Sequence, residues 1–359
     1  MEQLDRAILS QYVKDKLITE TKHPTLDIYI YNYTSKCEYD HHWDDITRIC
    51  RGLILDAEGY VIARPFPKFF NYEEYKSEQI PKLPYEITEK LDGSLGIIYW
   101  NGEMAYLATR GQFQSPQAEM GTYILQSKYM ELFHKLDRNL TYLFEIIYPE
   151  NRNVIDYGNL KDIYLIGILN TKTGEDLDIY EFGSDLGFPM PELYTDYADI
   201  DFYKMHDLNL LNKEGFVVNF QNDKQNVFRM KVKFSEYLTM FHAIMRVSVK
   251  SIWKAIRDKV DMDEVVGALP EDLKNRASAL IERLNLRYKD EEASLAKIYK
   301  NVYARTYGKG MSRKEFSKIV YNDRNFNPVK GVLFAMLDNK DYERIIWNIL
   351  EEEIMTWEL

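Results

Sequence analysis

Ile87-Thr-Glu-Lys90-Leu-Asp-Gly-Ser94-Leu-Gly-Ile-Ile-Tyr99 is the stretch on which the reading of this 359-residue chain turns. Apolar runs flank Lys90-Leu-Asp-Gly-Ser94, so it reads as a turn between two strands. A lysine stands where the first strand ends and an aspartate follows two residues on. Gly93 lets backbone come close to a ligand. That arrangement suits a lysine used as a nucleophile on a nucleotide phosphate. A strand–turn–strand corner with a solvated lysine has the same pattern, and the stretch alone does not choose between the two.

Outward from it, strand signals run from Leu26 to about Phe234. Examples are Asp27–Tyr31, Gly52–Asp56, Tyr60–Ala63, Ala105–Ala108, Tyr142–Ile147, Ile163–Ile168 and Gly215–Asn219. Turn signals such as Asp56-Ala-Glu-Gly59 and Asn101-Gly102 separate them. Two helices interrupt this half. One covers residues 3–17, and the other starts at Ser115 as N-cap with Pro116 in its first turn and runs to Leu136. After Phe234 the strand signals stop, and helices are expected over 236–260, from Pro270 to about Thr306, after Ser312, over 329–337 and over 341–357. The fold class is therefore α+β, an antiparallel-sheet domain over residues 1–240 followed by an all-α domain over 241–359.

Composition narrows the classes further. Two cysteines, Cys37 and Cys50, exclude a disulfide framework and a thiolate zinc site, and fit a reducing compartment. No apolar run reaches the roughly 18 residues of a membrane span, and the first residues lack a signal-peptide pattern, so a cytoplasmic protein is expected. The net charge of −11 is unevenly spread: residues 246–330 hold 19 Lys and Arg against 12 Asp and Glu. A basic stretch of that kind can hold a polyanion locally, because fields are screened beyond about 10 Å.

Several charged residues sit at strand ends beside apolar or small ones, as Lys90 does. Glu145 lies inside Leu143-Phe-Glu-Ile-Ile147. Glu214 precedes Gly-Phe-Val-Val, Lys231 and Lys233 share one face of a strand, and Arg51 and Lys68 come before the lysine turn. Burying such groups is costly unless they are paired or ligated. A set with both signs points to a site where cations hold a triphosphate and carboxylates hold a hard metal ion and ribose hydroxyls.

In order, Lys90-x-Asp-Gly-Ser94, Phe144-Glu145, Ile163–Ile168, Glu214-Gly-Phe-Val217 and Lys231-x-Lys233 resemble motifs I, III, IIIa, IV and V of the covalent nucleotidyltransferases. Arg51-Gly, Arg64-Pro-x-x-Lys68-Phe-Phe-Asn71 and Pro149-x-Asn-Arg152 resemble, more narrowly, the phage tRNA-repair type of ATP-dependent RNA ligase. The resemblance covers roughly residues 25–240. It implies that Lys90 attacks the α-phosphorus of ATP, that AMP passes to an RNA 5′-phosphate, and that a 3′-hydroxyl then displaces AMP. By the same resemblance Lys231 and Lys233 serve the α-phosphate, and Arg51 and Lys68 serve the β- and γ-phosphates. Glu145 serves the ribose or a metal-bound water, Glu214 serves Mg2+ or Mn2+, and Asp92 serves metal waters or Lys90. Ile166 and Val217 would close an adenine slot. Tyr237, Glu271 and Asp272 match positions that hold a second metal or the outer phosphates. Lys90 must lose its proton to attack, and the metal, Lys231 and Lys233 would favour the neutral amine. Two positions depart from the pattern. Arg110 stands where the family more often has lysine, keeping the charge, and Leu91 replaces an acidic residue.

The implied partners are RNA with 5′-phosphate and 3′-hydroxyl ends, broken tRNA among them, and an end-healing kinase-phosphatase, with the chain acting as a monomer and away from membranes. A capping-type or DNA-joining transferase is the alternative, and the missing strand-rich domain after Lys233 disfavours it. A non-catalytic nucleotide- or RNA-binding module is the third reading, and the filled set of charged motif positions disfavours that.

Overall fold

The structure is a computed structural model that describes residues 3–197, 200–222, 225–246, 248–267, 271–310 and 312–357. The chain forms two compact units, Met1–Leu238 and Thr239–Leu359.

The first unit is built on two antiparallel sheets. Strands β1 (Ile18–Lys22), β2 (Ile28–Tyr33), β3 (Arg51–Asp56) and β4 (Val61–Ala63) follow one another in a four-stranded sheet. The second sheet comprises β5 (Tyr85–Glu89), β6 (Ser94–Asn101), β7 (Met104–Ala108), β8 (Leu140–Ile147), β9 (Asp162–Asn170), β10 (Asp176–Leu177), β11 (Leu193–Tyr194), β12 (Gly215–Asn222) and β13 (Gln225–Lys233). Their spatial order is β11-β5-β12-β13-β10-β9-β8-β6-β7. Neighbours in sequence thus become neighbours in space only in part, and β5 lies beside β12.

Both faces of the larger sheet are covered, which explains the near-continuous apolar runs of β8 and β9. On one face Phe144, Ile146, Leu165 and Ile168 pack with Ile124 and Leu125 of the helix Pro116–Tyr129. Ser115 accepts a hydrogen bond from the Ala118 amide and starts that helix, as its sequence predicts. On the other face Ile97, Leu143 and Leu169 pack with Ile30, Ile54 and Phe66. Strand β1 was not expected. Only its first residue is buried and the other four are exposed, so it carries no apolar alternation to be recognised by.

The second unit is helical. A core of Trp253, Leu284, Phe316, Leu333 and Trp347 is surrounded by helices that include Val249–Arg257, Glu271–Arg305, Arg313–Asn322, Lys330–Leu337 and Glu343–Ile349. Trp347 is 1% exposed, and its truncation to alanine would cost about 3–5 kcal/mol. Two of the expected helices are divided. The segment 236–260 forms Ser235–Arg246 and Val249–Arg257, because the Ser248 hydroxyl accepts from the Ser251 amide and opens a new helix. The segment 341–357 forms Glu343–Ile349 and Glu351–Ile354. Among the described residues no helix is long and apolar enough to cross a membrane.

Candidate active site

Strands β5, β12 and β13 lie side by side, and their register builds the site in three rows. Glu86 pairs with Asn219 and Asn219 with Arg229. Two residues on, Thr88 pairs with Val217 and Val217 with Lys231. Two further on, the Lys90 amide donates to the Gly215 carbonyl at 2.9 Å, and Gly215 pairs with Lys233. The period of two along a strand puts all three rows on one face. The first two rows and Lys90 line a cleft of about 580 Å3, within the range of small-molecule sites.

Two glycines permit the close approach. Gly215 has φ +152°, and a Cβ there would lie 2.1 Å from the Val232 carbonyl oxygen. At Gly93 a Cβ would lie 2.5 Å from the Ile146 carbonyl oxygen, and its amide donates to Glu145 Oε1 at 2.9 Å. Any side chain at either position would push the motif off its carboxylate.

Glu214 is 2% exposed and holds two lysines at once, Lys90 Nζ at 2.7 Å from Oε2 and Lys233 Nζ at 2.9 Å from Oε1. Burial alone would lower the Lys90 pKa, but attraction to Glu214 and then Glu145 outweighs it, and the pKa is raised. In the unliganded protein the carboxylates thus outweigh burial and favour the ammonium form, whereas the neutral amine expected for attack concerns the metal-bound state. Burial pushes the Glu145 carboxyl up to about 7 against the pull of Lys90. Lys231 shows the opposite effect. Burial, with Lys90, Arg51, Lys68 and Lys233 adding repulsion, pushes it down to about 7.

The other cations come from β3 of the smaller sheet (Arg51), from the segment after β4 (Lys68) and from the turn after β7 of the larger sheet (Arg110). Arg51 and Arg110 line the cleft. The Tyr33 hydroxyl accepts from Arg110 Nη1 at 3.0 Å and from Lys68 Nζ at 3.4 Å. Lys68 does not line the cleft. It is ion-paired with Glu38 at 2.7 Å and lies 4.9 Å from the Trp43 ring centre. Its stretch is nevertheless tied to the site, because the Lys231 amide donates to the Phe70 carbonyl at 3.0 Å and Asn71 bridges to Lys231.

Ile166 and Val217 both line the cleft, as expected of a flat apolar slot. Ile166 reaches it through a β-bulge. Leu143 pairs with Gly167 and Phe144 with Leu165, which leaves Ile166 as the extra residue.

Asp92 and Tyr237 are placed elsewhere. Asp92 Oδ2 accepts from the Val154 and Ile155 amides at 2.9 and 3.1 Å, and Oδ1 accepts from Asn153 and from the Tyr237 hydroxyl, both at 3.2 Å. From there the Asp92 charge still adds to the attraction on the Lys90 ammonium, and Tyr237 also hydrogen-bonds Glu214, with Lys233 Nζ 5.0 Å from its ring centre. These two side chains brace the lysine turn from behind instead of lining the cleft. The side chains of Glu271 and Asp272 lie outside the described residues. Asn151 of the Pro149-x-Asn-Arg152 motif binds Ser94, while sequence reasoning missed Tyr33, Thr88, Asn219 and Asn153, which binds Asp92. Period-two spacing from Lys90 and Val217 was the signal for Thr88 and Asn219. Nothing local marks Tyr33.

A model of the RNA ligase family matches residues 49–238. A protein of Thermovibrio ammonificans, provisionally named an RNA ligase, is 25% identical over 291 residues, covering 76% of this chain and 75% of its own. The RNA ligase of Rhodothermus phage RM378 is 23% identical over 60% of this chain and 64% of its own, just under two thirds of its length. A solved archaeal ATP-dependent RNA ligase has a TM-score of 0.50 at 15% identity, over 78% of this chain and 76% of that one, which is a likeness of fold.

Proposed function

We infer the function from one premise: this chain belongs to the RNA ligase family. It joins RNA ends at the expense of ATP. Lys90 attacks the α-phosphorus, the bond to pyrophosphate breaks, and the amine proton leaves as a phosphoramidate forms. An oxygen of an RNA 5′-phosphate then attacks the same phosphorus and breaks the P–N bond, and Lys90 regains a proton. An RNA 3′-hydroxyl finally attacks the activated 5′-phosphate, and AMP departs.

The observation that carries this reading is Lys90 on the rim of a 580 Å3 cleft lined by Arg51, Arg110 and Lys231. With Arg229 of the same lining paired to Asp176 at 2.9 Å, these three cations suit a triphosphate, and Lys231 regains its charge when an anion arrives. The adenine enters between Ile166 and Val217, with Thr88 and Asn219 at its polar edge. Among the described residues no cluster of three His, Cys, Asp or Glu side chains could hold a metal. The buried Glu214 and the half-buried Glu145 fit a Mg2+ or Mn2+ that keeps waters and binds through one or two carboxylates and the substrate's phosphates. That ion would neutralise phosphate charge and release Lys90 from Glu214.

Incubation with ATP labelled in the α-phosphate and Mg2+ is expected to leave the label on the protein. Wild-type protein that stays unlabelled, or label that survives Lys90→Ala, overturns the assignment. For substrate we propose RNA with 5′-phosphate and 3′-hydroxyl ends, with a nicked stem-loop such as broken tRNA preferred and an end-healing kinase-phosphatase acting beforehand. Faster joining of a linear 5′-phosphate RNA than of a nicked stem-loop would contradict that preference.

A further inference from the structure

The cleft leaves one feature of the second unit unused. Between residues 297 and 330 the sequence holds nine Lys and Arg against two Asp and Glu, so the whole basic excess of 246–330 sits in this shorter stretch. All nine except Lys330 are exposed. Among the described residues only Arg313 of the nine forms an ion pair, with Asp338. Uncompensated cations at this density repel one another and create a positive potential that draws anions.

Aromatic rings accompany them. Tyr303 and Tyr307 stack with centres 5.5 Å apart and planes 8° apart. Tyr307 lies 6.2 Å from Phe316, Phe316 lies 5.6 Å from Phe334, and Phe334 lies 5.7 Å from Tyr321. Phe316 is fully buried, while Tyr303 is 41% and Tyr321 59% exposed. The buried Phe316 and half-buried Phe334 and Tyr307 thus hold the exposed Tyr303 and Tyr321 in a fixed arrangement.

Helical spacing sorts the same residues onto shared faces. In Glu271–Arg305, Lys300 and Tyr303 are three apart, and Tyr307 follows in the next turn. In Arg313–Asn322, Lys314, Lys318 and Tyr321 fall at i, i+4 and i+7, opposite the buried Phe316 and Val320. Lys330 Nζ lies 5.4 Å from the Tyr321 ring centre. A membrane-binding face would set large aliphatic residues beside its lysines. This one sets tyrosines there, which is the composition of surfaces that stack bases and track a sugar–phosphate backbone.

We propose that Lys300–Tyr303–Tyr307 and Lys314–Lys318–Tyr321 together form a docking face for single-stranded RNA, with bases stacked on the tyrosines and phosphates on the lysines. The proposal rests on the RNA ligase reading, and it deepens that reading by placing substrate contacts outside the adenylating cleft.

The test uses the full chain and a fluorescein-labelled single-stranded RNA, followed by anisotropy across a salt series. The triple variant K314A/K318A/Y321A is expected to weaken binding about tenfold. Its plot of log affinity against log salt should be shallower by about 1.4, the value for two lost phosphate contacts on a single strand. Y321L alone should weaken binding with the slope unchanged. Adduct formation with ATP should stay at the wild-type rate in both. Unchanged affinity and slope in the triple variant overturn the proposal, as does a variant that loses only phosphatidylserine–phosphatidylcholine vesicle binding and keeps its RNA affinity. A changed melting temperature directs the same readings to K314Q/K318Q, which removes charge and keeps the stems. Wild-type protein that binds RNA on this face yet never takes up AMP would sink the sealing reaction and leave the docking face standing.

Discussion

In the first unit Glu214 is 2% exposed and holds both Lys90 and Lys233. In the second, Lys314 and Lys318 stand in solvent with no ion pair among the described residues. The same residue type therefore serves two purposes. A buried, shared carboxylate fixes where an amine points and whether it carries a proton, so changes there alter chemistry and stability together. An exposed lysine contributes through the long-range field, so changes there alter affinity and its salt dependence while the fold persists.

The contrast breaks most sharply at Lys90, the proposed nucleophile. Lys90→Arg keeps the charge beside Glu214 but cannot form the adduct, so AMP labelling should vanish and joining should fall by on the order of 10^4-fold or more. Wild-type labelling would mean that the ion pair is merely structural. Glu214→Gln leaves two lysines under a neutral amide. Adduct formation should drop about 100-fold or more, and urea denaturation should show about 3 kcal/mol less stability. An exposed pair in the second unit, such as Lys259 with Asp341, should show almost none of that loss.

Lys231 sharpens the comparison through pH. Its folded-state pKa of about 7 lies below the free-lysine value of about 10.4. Unfolding therefore takes up a proton between those values, and the contribution of this group to stability rises with pH across that window. Lys231→Met should stabilise the unliganded protein, on the order of 2 kcal/mol at pH 6, with the gap narrowing as pH rises from about 7 toward about 10.4. A thermal-shift series checks the sign. Calorimetry of ATP binding at pH 8 in two buffers should show proton uptake that the variant lacks. Tyr33→Phe should have the smallest effect. Arg110 and Lys68 lose a shared acceptor, and KM for ATP should rise about threefold to tenfold with kcat little changed.

The charged motif residues were legible because a Glu or Lys within an apolar strand is a local anomaly. Glu145, Glu214, Lys231 and Lys90 were all found that way, and the structure brings all four into one cluster around the cleft. The partners of Asp92 were missed because the Val154 and Ile155 amides lie more than 60 residues away and leave no trace beside it. Tyr33 was missed for the same reason, since Arg110 is 77 residues from it. The bulge at Ile166 depends on a pairing that no single strand encodes. What escapes the sequence is the far end of long-range contacts, while the near end, a residue in the wrong company, is visible.

The pairing of β5 with β12 also has a consequence for how the protein is made. Lys90 leaves the ribosome well before Glu214, Lys231 and Lys233 are synthesised, and its backbone partner Gly215 arrives with them. A nascent chain that stops short of Glu214 thus carries Lys90 with neither that carboxylate nor Lys231 and Lys233. Such a fragment cannot consume ATP, and competence appears at one late point in translation, when the last hairpin docks and completes the sheet.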